Sequence, residues 1–449
     1  MAQDDRDYHG VPLRFTFVPH PVVSMPPSVL RGYIEGSNPS TGRRVIDEVL
    51  EALTKPYSAE ESRNVAVLRP DPGPRQPLLP PDTEDNLQRL FAERGWTEGL
   101  PVILPTEERV AEMLAGTSAA PGKVVLKSFI EDPKENLRCT VENVAIVAVM
   151  AGARPEHLPL LLAIASTGQP AIQPSTLPFT SMLLVNGPIR HEVGMNCGMG
   201  AYGPFNPVNA VIGRAWTLMS KAWGFARRKK TFWSSQGNNY TYNNLCVAES
   251  EERSVWEPFH VTKGHRPEES VVSLFRGWNL LNSQGAAGRR TWGEELQLQM
   301  QALPALYSAA TLVMDPLVAR SLKELEGFQT KLDVGRWISE NIKMPAHQFW
   351  DNDIIDMLVA PLAYHGVQPY AGWKQLPADA LIAPYNRPEK INVIVVGGET
   401  SPLWKLADFD YTVSAPIDQW RKKAADTHDG PDAEQARGAY EAPAEITRK

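Results

Sequence analysis

Three things are scarce in this chain, and each scarcity excludes something. Cysteine comes first: Cys139, Cys197 and Cys246 are the only three in 449 residues. Three cysteines cannot build a disulfide framework, and their spacing matches no zinc pattern. A reducing, cytoplasmic setting is therefore expected, and neither a metal site nor any particular cofactor is indicated. Long apolar runs are missing as well. No window approaches the ~18 residues needed to span a bilayer. The opening Met-Ala-Gln-Asp-Asp-Arg-Asp has no apolar stretch behind a basic start, so no secretory leader is expected. The net charge of -7 argues against a nucleic-acid partner.

The third scarcity is local. From Val193 through Ala248 there is no Asp or Glu, where the chain's average of 52 acids in 449 residues would place roughly six. Arg214, Lys221, Arg227, Arg228, Lys229 and Lys230 remain in that stretch. Burial removes charges of both signs, so the surviving cations point to an anionic ligand such as a carboxylate or a phosphate.

What is abundant is proline, 39 residues, and tryptophan, 12. Prolines spread among apolar residues imply many fixed loops and short elements. Residues 1–81 read as an N-terminal arm with a strand near Val11–Val18, a helix near Val45–Thr54 and a proline-rich connector from Arg69 to Pro81. Residues 82–421 read as the main region, with a subdomain break near 285, and 422–449 as a polar, disordered tail. In the main region, Asp82-Thr83-Glu84, Thr106 and Thr140 are helix-start signals. Val102–Leu104, Val124–Leu126, Met182–Val185 and Ile391–Val396 are short apolar strands. Helices are predicted from Val208 to about Trp223 and over Trp292–Leu303, Asp315–Glu324 and Lys331–Asn341. The alternation predicts an α/β fold, or a mixed α+β one, of helices layered on short buried strands. No internal repeat is visible.

The acid-free stretch holds the loop Gly194–Asn206, with Gly198, Gly200 and Gly203 just ahead of a helix started by Asn206-Pro207. Glycines let backbone N–H groups turn toward a ligand, and the helix N-terminus adds partial positive charge. The Gly-x-Gly-x-x-Gly spacing is not a dinucleotide fingerprint, because no strand leads directly into it and no acid follows about 20 residues on. Arg214 is a second cation for an anion. Asn243 and Asn244 offer amides to a carboxylate or carbonyl. Arg190 and His191 are further substrate contacts. Cys246 is a candidate nucleophile if nearby cations lower its pKa. Glu249, Glu257 and His260 are candidates for acid–base work.

Several strings together carry a resemblance: Gly95-Trp96-Thr97-Glu98-Gly99-Leu100-Pro101, Val185-Asn186-Gly187-Pro188-Ile189, Gly203-Pro204-Phe205-Asn206, and Cys246-x-Ala248-Glu249 followed by Trp256-Glu257-Pro258. Across roughly Leu13–Arg421 the chain resembles a widespread, largely uncharacterised bacterial family associated with small proteins bearing a UGSC selenocysteine or cysteine motif. The resemblance implies small-molecule catabolism, with thiol or redox chemistry from a UGSC-type partner, since this chain has no such motif. Residues and resemblance lead to one expectation and two alternatives. The expectation is an oligomeric enzyme, a lyase or hydrolase, acting on a small carboxylate or acyl substrate by acid–base or thiol-assisted addition, elimination or hydrolysis. The alternatives are a non-catalytic binding subunit for a UGSC-type partner and a CoA-ester enzyme using Arg227–Lys230.

Overall fold

A computed structural model describes residues 14–20, 22, 25–59, 61, 78–127, 138–223, 232–285 and 292–423. The proline-rich connector apart from its last four residues, the basic run Arg227–Lys230 and the tail from 424 onward lie outside the described residues.

The fold is α/β. Strands β1 (Val124–Lys127) and β2 (Arg138–Thr140) form a small antiparallel pair. Strands β3 (Thr180–Asn186), β4 (Leu245–Ala248), β5 (Val271–Gly277), β6 (Leu280–Gln284) and β7 (Ala310–Met314) follow. Next come the two-residue strands β8 (Met344–Pro345) and β9 (Leu381–Ile382), then β10 (Ile391–Val395), β11 (Leu403–Ala407) and β12 (Asp410–Pro416). Two four-stranded sheets carry the structure, one in the order β12-β5-β3-β4 and the other β10-β7-β11-β6.

The helices that matter here are α1 (Pro27–Glu35), α2 (Val45–Thr54), α3 (Glu84–Glu93), α4 (Glu107–Leu114), α5 (Val141–Ala151), α6 (Leu158–Ser166), α7 (Ile189–Glu192), α8 (Pro207–Ala222), α9 (Phe259–Thr262), α10 (Trp292–Gln301), α11 (Pro316–Leu325) and α12 (Lys331–Asn341). Their starts follow the sequence signals. Thr83, Thr106 and Thr140 each accept a backbone N–H from three residues on, and Thr140 with Asn143 completes a capping box.

The layers are helix, sheet, sheet, helix. Leu183, Val185, Cys246, Ala248, Val272 and Leu274 of the first sheet pack against α5, α6 and α8. The opposite face of that sheet, with Met182, Leu184, Val247 and Phe275, meets Val313, Ile394, Val396 and Ala407 of the second sheet. The second sheet's outer face, including Leu312, Met314, Val393 and Leu406, packs on α10, α11 and α12. This layering explains why β3, β7 and β10 read as continuous apolar runs: strands covered on both faces have no solvent side to alternate with.

The two sheets are built alike. β3 and β4 are parallel and joined through α7 and α8, and β7 and β10 are parallel and joined through α11 and α12. β5 is antiparallel to β3 as β11 is to β7. The next strand in each half then crosses to the other sheet, β6 pairing with β11 and β12 with β5. The sequence shows no repeat, but the structure has one. A break near 285 separates these halves along the chain without separating the sheets, since each sheet holds a strand from the other half.

Two expected strands are absent among the described residues, residues 11–13 of the first lying outside them. Residues 14–18 are irregular, as are 102–104, where Ile103 N–H reaches the Met150 carbonyl at 3.2 Å and both backbone groups of Val102 bond to the Gln88 side chain instead of to a strand. Apolar character alone does not make a strand where no partner edge is available.

Candidate functional site

The acid-free stretch folds around the carboxyl end of β3, where Asn186-Gly187-Pro188 turns into α7, and continues through the glycine loop into α8. Three asparagines clasp that loop. Asn196 Oδ1 accepts Gly198 N–H at 2.8 Å, and Asn196 Nδ2 donates to Met199 O at 2.9 Å and Asn206 Oδ1 at 2.6 Å. Asn206 Nδ2 donates to Gly200 O at 2.6 Å and Gly203 O at 3.0 Å. Asn209, inside α8, exchanges bonds with both backbone groups of Asn196. Asn206 therefore fixes the loop rather than capping α8 through its side chain.

The clasped loop forms one wall of a cleft of about 670 Å³. Gly198, Gly200, Gly203 and Tyr202 face β11, β6 and the turn after β10 across it. A backbone bond anchors the loop there, from Gly397 N–H to the Cys197 carbonyl at 3.1 Å. The opposite wall carries Lys405 of β11, with cross-strand neighbours Asn282 and Val313. Its amine donates to Asn282 Oδ1 and lies 5.6 Å from the Tyr202 ring centroid. Among the described residues it has no ion-pair partner, and burial pushes its pKa down. Burial pushes the Tyr202 phenol up, so it stays protonated and neutral at neutral pH.

Asp315, at the end of β7, lines the same cleft. Its Oδ1 accepts Leu317 N–H at 2.9 Å and its Oδ2 accepts Glu399 N–H at 3.0 Å. At the rim, Arg253 donates to the Gly397 carbonyl at 3.2 Å, and its guanidinium nitrogens stand 3.5 Å from where a Cβ on Gly198 would be. Arg253 and Arg320 share one carboxylate, Glu399. Cleft and rim thus bring three cations together with two carboxylates, an excess that favours an anionic ligand.

Glu249 is elsewhere. It follows β4, is fully buried, and its N–H bonds to the Val185 carbonyl at 3.1 Å. In the other half, Val396 N–H bonds to the Met314 carbonyl at 2.9 Å, so Val396 holds the matching position. Glu249 Oε1 pairs with Lys331 Nζ at 2.5 Å and accepts Val395 N–H at 3.3 Å. Its Oε2 accepts Asn186 Nδ2 at 2.7 Å and Phe259 N–H at 2.6 Å. Four donors saturate this carboxylate and join both sheets to α9 and α12. That is the environment of a structural carboxylate rather than of a proton-transfer group.

Arg190 and His191 belong to the same cluster. Arg190 is buried and reaches the Gly187 carbonyl at 2.9 Å, the Glu249 carbonyl at 2.7 Å and the Glu252 carboxylate at 2.8 Å, with Glu251 at 3.0 Å. Desolvation works against its charge, but hydrogen bonding to Glu252 and the field of Glu251 leave its pKa raised. Arg190 in turn holds Glu252 down to about 2. His191 is exposed and meets Glu252 at 2.9 Å. Arg190 is thus consumed by two glutamates and has no fork left for a substrate.

The remaining expected residues separate. Cys246 faces the helical layer, and burial pushes its thiol far up, which removes the thiolate a nucleophile needs. His260 is buried; its Nε2 donates to the Arg266 carbonyl at 3.0 Å, and its Nδ1 has no partner among the described residues. Glu257 is exposed, and no described hydrogen bond or ion pair joins it to His260. Arg214 is claimed by Glu98 at 2.6 Å and the Pro101 carbonyl at 2.6 Å, so the acid that balances it comes from 116 residues earlier. Asn244 is buried with φ of +52° and donates to the Gly213 carbonyl at 2.9 Å and Thr217 Oγ1 at 2.9 Å. Gly213 permits this approach, because a Cβ there would stand 1.7 Å from the Asn243 carbonyl oxygen. Asn243 is exposed and borders an open depression with Phe205, Asn206 and Ala210. The glycines alone of the expected residues line the main cleft directly. Asn206 supports them from behind.

Lys405, Asp315 and Arg253 escaped sequence reasoning. Asp315-Pro316 resembles Asn186-Gly187-Pro188 after a buried apolar strand, which is a signal for equivalent strand ends. Nothing near Lys405 marks it. Among the described residues no group of three or more His, Cys, Asp or Glu side chains is arranged to hold a metal, and no helix is long and apolar enough to cross a membrane. No known protein family, curated protein or solved structure matches the chain.

Proposed function

We propose that this chain is an enzyme acting on a small carboxylate- or acyl-bearing substrate, held between the clasped glycine loop and Lys405. The observation that carries this reading is a lysine without an ion-pair partner among the described residues, facing a glycine-rich backbone wall inside a cleft of about 670 Å³, a volume suited to a small metabolite. Arg253 at the rim draws in the anion, Lys405 meets it inside, and Asp315 is the carboxylate at hand for proton transfer in an addition, elimination or hydrolysis. Cys246, Glu249 and Glu257 take no part in this scheme. The test is calorimetric titration with pyruvate, glyoxylate, 2-oxoglutarate, acetate and malate. At least one is expected to bind, and Lys405→Met should weaken it about tenfold, ~1.4 kcal/mol, with an unchanged thermal melt. Absence of binding by all five overturns the reading.

A second reading takes the chain as a binding subunit for a UGSC-type partner, as the family resemblance implies. Met199, 69% exposed on the cleft, and Phe205, 96% exposed on the neighbouring depression, favour it. Co-purification of a stoichiometric small thiol or selenol protein, lost in Phe205→Ser, would support it over the first.

A further inference from the structure

The lysines of this fold differ in what surrounds the amine. Lys331 is bound to Glu249, and Lys390 to Asp410 at 2.8 Å. Lys263 lies against the rings of Tyr411 and Phe259, at 4.6 and 5.0 Å, outside the cleft. Lys405 alone of these four lines the cleft, with an amide oxygen as its acceptor and an aromatic ring beside it. A half-buried amine with no counter-ion is a nucleophile in waiting, because desolvation penalises its charged form and makes the neutral amine easier to reach than in a hydrated lysine. The lowered pKa of Lys405 agrees.

We propose that Lys405 forms an imine with the carbonyl carbon of a small 2-oxo acid. This inference rests on the cleft being the substrate site and specifies its substrate class. The amine nitrogen attacks the ketone carbon to give a carbinolamine. The former carbonyl oxygen then leaves as water, and a protonated C=N bond forms. Ammonium plus ketone gives iminium plus water, with no electron gained or lost. Asp315, on the same cleft, relays the protons between the amine and the departing oxygen. Arg253 and the backbone of the glycine loop receive the carboxylate of the 2-oxo acid.

The experiment is borohydride reduction of the full chain in the presence of pyruvate, glyoxylate or 2-oxoglutarate, followed by intact-mass measurement and peptide mapping. The expected result is one reduced adduct, mapped to Lys405 rather than Lys221 or Lys263, with at least one of the three acids. Lys405→Arg should lose the adduct while still binding the acid by calorimetry. Binding without an adduct on Lys405, for all three acids, overturns the imine and leaves the anion-binding reading standing. Neither binding nor adduct with any of the three overturns the imine, and the anion-binding reading falls with it when acetate and malate also fail to bind.

Discussion

The two halves of the molecule finish the same strand arrangement in opposite ways. After β10, the position next to the parallel partner is Val396, the cross-strand pair is Lys405 of β11 with Asn282 of β6, and the long connection 193–206 roofs the space without filling it. After β4, the matching position is Glu249, and the matching cross-strand pair is Ser273 with Ser414, whose hydroxyls meet at 2.8 Å. There the connection 326–330 is short, and α12 sends Lys331 inward onto Glu249, beside Phe259. One site is open and holds an unpaired cation. The other is plugged by an ion pair with a full set of hydrogen bonds. The difference teaches that buried charge alone does not mark a working site. A saturated carboxylate holds the fold together, whereas an amine left without its counter-charge is the group that the proposal above turns toward a ligand.

The contrast can be broken most severely at the plugged end. Glu249→Gln strips Lys331 of its counter-charge and should cost about 3–5 kcal/mol in urea unfolding. Adding Lys331→Met to it should restore part of that loss. A single-mutant effect under ~1 kcal/mol would show that the pair is not a structural plug. Next in size, Gly187→Ala should cost about 2 kcal/mol, because its φ is +84° and a Cβ would stand 2.2 Å from the Glu269 carbonyl oxygen. A melt matching wild type would contradict this. At the open end, Lys405→Met should leave stability within ~1 kcal/mol of wild type, or raise it, since it removes a desolvated amine without stranding a partner charge. A large loss would mean that Lys405 supports the fold. The smallest effect is on pH. Glu252 is held down to about 2 in the fold by Arg190, below its ordinary 4.5. A depressed carboxylate stabilises above its unfolded pKa, and that contribution is lost as pH falls from about 4.5 through about 2. Its side chain is 56% exposed, so screening keeps the slope shallow. Arg190→Gln should flatten that part of an acid-unfolding profile; an unaltered profile would exclude the coupling.

Much of the helix pattern was legible, because caps and apolar periodicity are local. α4 and α12 begin and end where Thr106 and the Lys331–Asn341 pattern placed them. The α/β class followed from the buried runs of β3 and β10. Strands β4, β5, β6, β7, β11 and β12 were missed, and so was the repeat, because strand pairing joins residues far apart in the chain. The site was legible in half. Glycines before a helix gave one wall of the cleft, since backbone geometry leaves a compositional trace. Lys405 gave none: an isolated lysine in Leu403–Ala407 is indistinguishable from a solvated one until the glycine loop is folded over it. The acid-free stretch misled for a related reason. Arg214 already has its acid in Glu98, and sequence distance hid the pair.

The exchange of β6 and β12 has a consequence for how the chain is assembled. It makes the molecule the covalent counterpart of a domain-swapped dimer, each half lending its last strand to the other's sheet edge. A nascent first half, made alone, would present β5 with one edge unpaired and β6 without a sheet to join, both aggregation-prone until the second half arrives. Fragments ending at 285 and beginning at 292 are therefore expected to be insoluble apart and to complement each other when co-expressed, rebuilding the cleft from two chains.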